Sequence, residues 1–139
     1  SLFEKITLID HHLYPDGFFD NFPKLKVYHD KSKSGALLTY EYFKLNDNNL
    51  KSIIDIIDVY DLWQSEHRDF EKSQDLNRFF WEVGREKFIE DIINSNYKLP
   101  SYYENTVDKI KVKFTEDIEK YEKRKLIHRT DQMIEKILN

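Results

Sequence analysis

The sequence predicts an α/β chain, predominantly helical, that finishes in one long helix. Two short runs carry the strand signal. Ile6-Thr7-Leu8-Ile9 is β-branched or aliphatic and too brief for a helix, and Leu25-Lys26-Val27-Tyr28-His29 alternates as a strand does. From Ala36 to Ile93, apolar residues recur three and four apart, the period of helices that bury a face. Beyond Pro100 the same spacing runs through Tyr103, Val107, Ile110, Phe114, Ile118 and Tyr121.

In order along the chain, Ile6 to Ile9 reads as a short buried strand that ends in Asp10-His11-His12. Leu13 to Phe22 contains Pro15, Asp16, Gly17 and Asn21 and reads as a turn-rich connection. Ser32 and Ser34 are candidate N-caps for a helix built on Ala36, Leu37, Tyr40 and Phe43, which Asn46 to Asn49 is expected to end. Leu50 to Trp63 is apolar nearly all round, so a helix buried on most sides is expected there. Leu76, Phe79, Phe80 and Val83 mark a further amphipathic helix, interrupted near Gly84 and continued by Phe88, Ile92 and Ile93. Lys98-Leu99-Pro100 breaks the pattern. Ser101 with Glu104 fits a capping box, and a helix running on to Leu138 would extend on the order of 55 Å at about 1.5 Å per residue. A small domain needs less. Its single apolar stripe calls for a partner, and self-association through this helix is expected.

With 139 residues, 40% hydrophobic and 15% aromatic, the chain can bury one core but not those of two full domains. It has no cysteine, which excludes disulfides and thiolate metal sites and leaves histidine, carboxylate and water as ligands. That donor set suits manganese, magnesium, iron or zinc. No apolar run approaches the roughly 20 residues that span a bilayer, and no signal-peptide pattern opens the sequence. A cytoplasmic location without membrane partners is therefore expected. The net charge of −4 offers no general attraction to nucleic acid. Lys120, Lys123, Arg124, Lys125 and Arg129 crowd one late segment, whose ordinary reading is a solvated helix face. The first residue, Ser1 rather than methionine, reads as the start of a cloned fragment or as a tag scar.

Two stretches carry chemistry. Asp10-His11-His12 stands at the carboxyl end of a strand, where ligands bind in open α/β sheets, and neutral imidazole is a common metal ligand that a carboxylate can orient. Successive strand residues point to opposite faces, so only one histidine should meet a given metal, leaving the other for substrate or structure. A structural or surface role for the pair is the simpler alternative. Asp55, Asp58 and Asp61 lie three apart in an apolar helix and span about 120° of its circumference. At least one of these carboxylates is expected to be buried. Burying an unpaired charge is costly, and a divalent cation would relieve that cost; a solvated acidic stripe is the alternative. His29, His67 and His128 lack comparable context.

Several segments taken in order resemble the DHH-family phosphoesterases, over about Ile6 to Ile93. They are Leu8-Ile9-Asp10-His11-His12, Ser34-Gly35-Ala36-Leu37-Leu38-Thr39-Tyr40-Glu41-Tyr42-Phe43, Val59-Tyr60-Asp61-Leu62-Trp63, Leu76-Asn77-Arg78-Phe79-Phe80 and Gly84-Arg85-Glu86-Lys87-Phe88. The most similar branch is the oligoribonuclease-like, exopolyphosphatase-related one. The resemblance implies a fragment of a doubly wound parallel-sheet DHH domain, with residues 1–99 as its later half and residues 100–139 as a linker helix toward a second domain. It implies that His11 ligates one of two catalytic metals, usually manganese with magnesium as the substitute. His12 would contact the substrate phosphate and take part in catalysis, and Asp10 would act by orienting and polarising an imidazole. The later family aspartate matches Asp61, which directly precedes Leu62-Trp63, and Asp58 is the fallback. Two metals would share and acidify a water that displaces a phosphate ester in line. The implied substrates are short oligonucleotides or related phosphodiesters and phosphoanhydrides. Absent from the sequence are the family's upstream carboxylate motifs and its downstream glycine-rich, histidine-bearing motif. The resemblance thus implies a hydrolase site incomplete within this chain, and a chain of little activity alone. A non-catalytic helical interaction module that retains a relic DHH core is the competing reading.

Overall fold

A computed structural model of the chain describes residues 5–138, with side chains described through residue 127. The structure is mixed α/β. Its elements are β1 (Ile6–Asp10), β2 (Leu25–His29), α1 (Gly35–Tyr42), α2 (Asn48–Asp61), α3 (Phe70–Val83), α4 (Arg85–Asn94) and α5 (Tyr103–Leu138). They divide into two compact units, Ser1–Pro100 and Ser101–Asn139.

β1 and β2 pair in parallel, with Ile6 opposite Leu25 and Asp10 opposite His29. A parallel pair needs a crossover of about a dozen residues or more. Residues between His11 and Lys24 supply it as successive turns, closed by bonds such as Phe18 N–H to the Pro15 carbonyl and Asp20 N–H to the Gly17 carbonyl. No residue of either strand is buried, and Ile6 is 50% exposed. The expectation of a buried strand is corrected here. Only α1 among the described helices packs on this sheet, which has two strands among the described residues.

Helix starts follow local chemistry. Ser34 Oγ accepts the Leu37 N–H at 3.2 Å, and Asp47 caps α2 by accepting the Leu50 N–H at 2.9 Å. Ser32 is not a cap; its N–H and hydroxyl both donate to Asp30. α1 ends at Tyr42, before Asn46 to Asn49, because Asp47 and Asn48 open the next helix. After α1, α2 and α4 the chain turns through positive φ at Lys44 (51°), Trp63 (50°) and Asn96 (55°). Paired bonds close each end: Lys44 N–H to Glu41 and Leu45 to Tyr40, Trp63 to Tyr60 and Gln64 to Val59, Asn96 to Ile93 and Tyr97 to Ile92. These are Schellman motifs, formed without the glycine that usually marks them. The third glycine of the chain, Gly84 at φ 84°, breaks α3 from α4 instead.

α2 is central to the first unit, with α1 against one side and α3 against another. Leu38, Ile53, Ile54, Ile56, Val59, Leu76, Phe79 and Ile92 are buried, Phe79 completely. α2 is less enclosed than its composition predicts, since Asp55, Asp61 and the neighbouring Trp63 are exposed. α3 starts at Phe70, earlier than the apolar period indicates.

The second unit is dominated by α5, whose 36 residues extend about 54 Å at 1.5 Å each. It begins at Tyr103, which places Tyr102 rather than Ser101 before the first helical residue. Phe114, Ile118 and Tyr121 are exposed. Among the described residues, no helix is long and apolar enough to cross a membrane.

Candidate functional site

β1 ends at Asp10, so His11 and His12 lie past the strand and its alternation does not reach them. Their rings stack on one side, centroids 4.5 Å apart with 27° between planes. The expectation that they point to opposite faces is corrected. Asp10 organises this corner. Its Oδ1 accepts the His11 N–H at 2.8 Å and meets His12 Nδ1 at 2.6 Å, while the Tyr14 hydroxyl donates to Oδ2.

These bonds set the charges. The Tyr14 hydroxyl, then the His12 ring, hold the Asp10 carboxyl well below the usual carboxylate range, with partial burial acting the other way. In return, the Asp10 hydrogen bond raises the His12 pKa, helped by the charges of Asp10 and Asp61. Nδ1 of His12 is thus engaged, while its side chain as a whole is 72% exposed. His29 Nε2 donates to the His12 carbonyl at 2.7 Å and fixes the backbone there.

His11 takes a different environment. Its Nδ1 lies 3.3 Å from Asp61 Oδ2, yet the two are not aligned as a hydrogen bond, and Nδ1 is buried without a hydrogen-bond partner. The distance alone would suggest an ion pair; the misalignment is the more informative fact, because buried polar atoms are seldom left unsatisfied. The ring also lies over the first turn of α1, where a Cβ added to Gly35 would stand 4.0 Å from Nδ1. Asp61 is the last residue of α2, and the turn that follows it is braced by Trp63, whose ring packs at 5.8 Å on Tyr60 and 5.1 Å on Phe70.

The three aspartates of α2 have separate partners. Asp55 pairs with Lys51, and Asp58 Oδ1 accepts the Ser34 N–H at 2.6 Å. Only Asp61 stands beside His11. None of the three is buried, which corrects the expectation that at least one is. Among the described residues the buried carboxylate is Asp75, 9% exposed and 2.7 Å from an Arg78 nitrogen.

An unpartnered imidazole nitrogen and a carboxylate oxygen at this separation fit a shared divalent cation. Donors about 2.1 Å from one ion, at roughly 90–110° to each other, stand about 3.0–3.4 Å apart. The set is small, however. No group of three or more His, Asp or Glu side chains that could hold a metal occurs among the described residues.

Of the other residues singled out above, His67 accepts the Asp69 N–H at 3.1 Å near the start of α3, a structural role. The His128 and Arg129 side chains lie outside the described residues. Lys120 reaches Asp117 at 3.7 Å, and the basic side chains beside it are solvated. Tyr14 and His29 are contributors that sequence reasoning missed. His29 had one signal, its place opposite Asp10 at the end of the strand pair; Tyr14 had none beyond lying four residues from Asp10.

No family model, curated protein or solved structure matches this chain.

Proposed function

We propose that the chain is the later part of a DHH-family phosphoesterase domain. It acts on phosphodiester or phosphoanhydride bonds in short oligonucleotides or related compounds. The observation that carries this reading is the meeting of His11 Nδ1 and Asp61 Oδ2, 3.3 Å apart with the nitrogen buried and unpartnered. Those two atoms would hold manganese or magnesium, which supplies Lewis acidity toward a phosphoryl oxygen and an acidified water when bound. His12, made more basic by Asp10, offers a ring N–H to a phosphate oxygen. The start of α1, beside His11, adds the positive end of a helix dipole. Asp10 serves as the positioning residue for His12, and Tyr14 as the brace of Asp10.

Two protein donors are too few for a dinuclear centre, so the proposal requires further carboxylates from beyond the described residues. The β1–β2 sheet, on which α1 alone among the described helices packs, supports the same reading, because parallel sheets ordinarily have both faces covered. The competing module reading draws on the absence of a three-donor cluster among the described residues and on the exposed apolar side chains of α5.

The deciding experiment compares this chain with a longer version extended upstream, each with and without His11→Ala, for manganese-dependent turnover of a short oligoribonucleotide. The chain alone should bind manganese loosely by calorimetry and turn over little, whereas the longer protein should be active and depend on His11 and Asp61. Robust turnover by the short chain refutes the incomplete-site argument. Indifference of the longer protein to His11→Ala refutes the phosphoesterase reading.

A further inference from the structure

The crossover between β1 and β2 leaves apolar side chains on the surface: Leu13, Phe18 and Phe22 are exposed, Leu13 at 81%. These rings are ordered. Phe18 lies between Tyr14 and Phe22, with ring centroids 5.0 and 6.3 Å away, and Tyr14 is anchored through its hydroxyl on Asp10. Rings held in place beforehand lose less freedom on binding. Asp16 and Asp20 stand exposed among them, and residues 13–22 include no lysine, arginine or histidine. The surface is apolar and negative.

α5 carries the complement. At about 100° per residue, Phe114, Ile118, Tyr121 and Lys125 fall within about 60° of one another around the helix, and all four are exposed. Arg124 flanks this stripe, and the stretch from Lys120 to Lys125 holds four basic residues against one acidic. Contiguous exposed apolar residues mark interaction sites, and opposite charges beside them select the partner and fix the register. Both surfaces belong to the same chain, and both are exposed in it.

We propose that the aromatic crossover of one copy docks on the α5 stripe of a second copy. Phe18 and Phe22 pack against Phe114, Ile118 and Tyr121, while Asp16 and Asp20 lie beside Arg124 and Lys125. The second copy is the occupant because it offers a surface matched in both apolar character and sign. Pairing α5 with α5 in parallel would set Lys125 against Lys125, and pairing crossover with crossover would set carboxylates together, each at a cost in like charge; the crossed pairing avoids both. Made reciprocally, the contact occurs twice and closes as a two-fold dimer. It stands independently of the phosphoesterase reading.

Two charge-reversed chains test this by sedimentation equilibrium. Asp16→Lys with Asp20→Lys makes the crossover positive, and Arg124→Glu with Lys125→Glu makes the end of the stripe negative. Each variant alone should self-associate about tenfold or more weakly than the unmodified chain, because like charges then meet. Mixed in equal amounts, the two should associate with near-unmodified affinity, since both crossed contacts again join opposite charges. Phe18→Ser, which changes no charge, should weaken association to a similar extent, and far-UV circular dichroism checks that each variant keeps its helices. Unchanged self-association of the chain with Asp16→Lys and Asp20→Lys means that α5 meets α5 and overturns the proposal. Unchanged self-association of the chain with Arg124→Glu and Lys125→Glu means that crossover meets crossover and overturns it equally. A mixture that associates no more tightly than either variant alone, or an unmodified chain that stays monomeric at every concentration, also overturns it.

Discussion

Replacing Asp58 by alanine should destabilise the protein by about 2 kcal/mol, whereas replacing Asp61 should leave stability within about 0.5 kcal/mol. The contrast comes from what each carboxylate touches. Asp58 Oδ1 accepts the N–H of Ser34 at 2.6 Å, and Ser34 is completely buried. Truncation strands that donor away from water, at about 1–3 kcal/mol for an unsatisfied buried group. It also removes a negative charge beside the start of α1, where the helix dipole contributes roughly 0.3–1 kcal/mol. These contributions overlap, so the expected total lies near the middle of the first range. Asp61 is 43% exposed, receives no hydrogen bond from His11 and sits at the unfavourable end of α2 for a carboxylate. Its loss costs the fold little. Urea unfolding followed by far-UV circular dichroism measures both, with unchanged m-values as the check that the comparison is valid. Asp58→Asn keeps an acceptor oxygen and should recover part of the loss. If Asp61→Ala proves the more destabilising, the division into a structural Asp58 and a ligand-facing Asp61 is wrong.

Inorganic phosphate binding should weaken as pH rises through the raised His12 pKa, and Asp10→Asn should return the His12 titration toward its ordinary value near 6.5; ring-proton NMR reads both. The linked stability has the same sign. His12 contributes fully below the ordinary imidazole pKa and less as pH climbs through the folded one, while Asp10, with a lowered pKa, contributes above the ordinary carboxylate range and loses that contribution only in strong acid. Lys44, exposed at φ 51° in the turn after α1, should tolerate Lys44→Gly with a gain of about 0.5–1 kcal/mol, because a left-handed conformation is costly for a side chain; a melting temperature that falls contradicts this. The exposed Phe114, Ile118 and Tyr121 of α5 should make the chain self-associate at high concentration, with Phe114→Glu reversing it. A strict monomer by light scattering in the unmodified chain counts against that expectation.

What the sequence determined by itself are the features encoded within one or two turns of chain. The bounds of β2 follow from the Leu25–His29 alternation, the start of α1 from the two candidate caps Ser32 and Ser34, of which the structure uses Ser34, the α3–α4 break from Gly84, and the length of α5 from its apolar period. The helix ends at Lys44, Trp63 and Asn96 were not readable, because their left-handed turns carry no glycine and are held by backbone bonds that any residue can make. Exposure of the sheet was not readable either, since strand-forming residues signal a pleat and not what covers it. The candidate site shows the same division. Histidine and aspartate as the available donors are plain in a chain without cysteine, but the separate partners of Asp55, Asp58 and Asp61 depend on how α1 and the end of β1 meet α2. Lys51 reaches Asp55 within one turn of its own helix, whereas Asp58 finds Ser34 at a separation of 24 positions in the chain. Tertiary structure alone decided that Asp58 ties two helices while Asp61 faces His11, because three carboxylates identical in chemistry differ only in the direction from which α2 presents them.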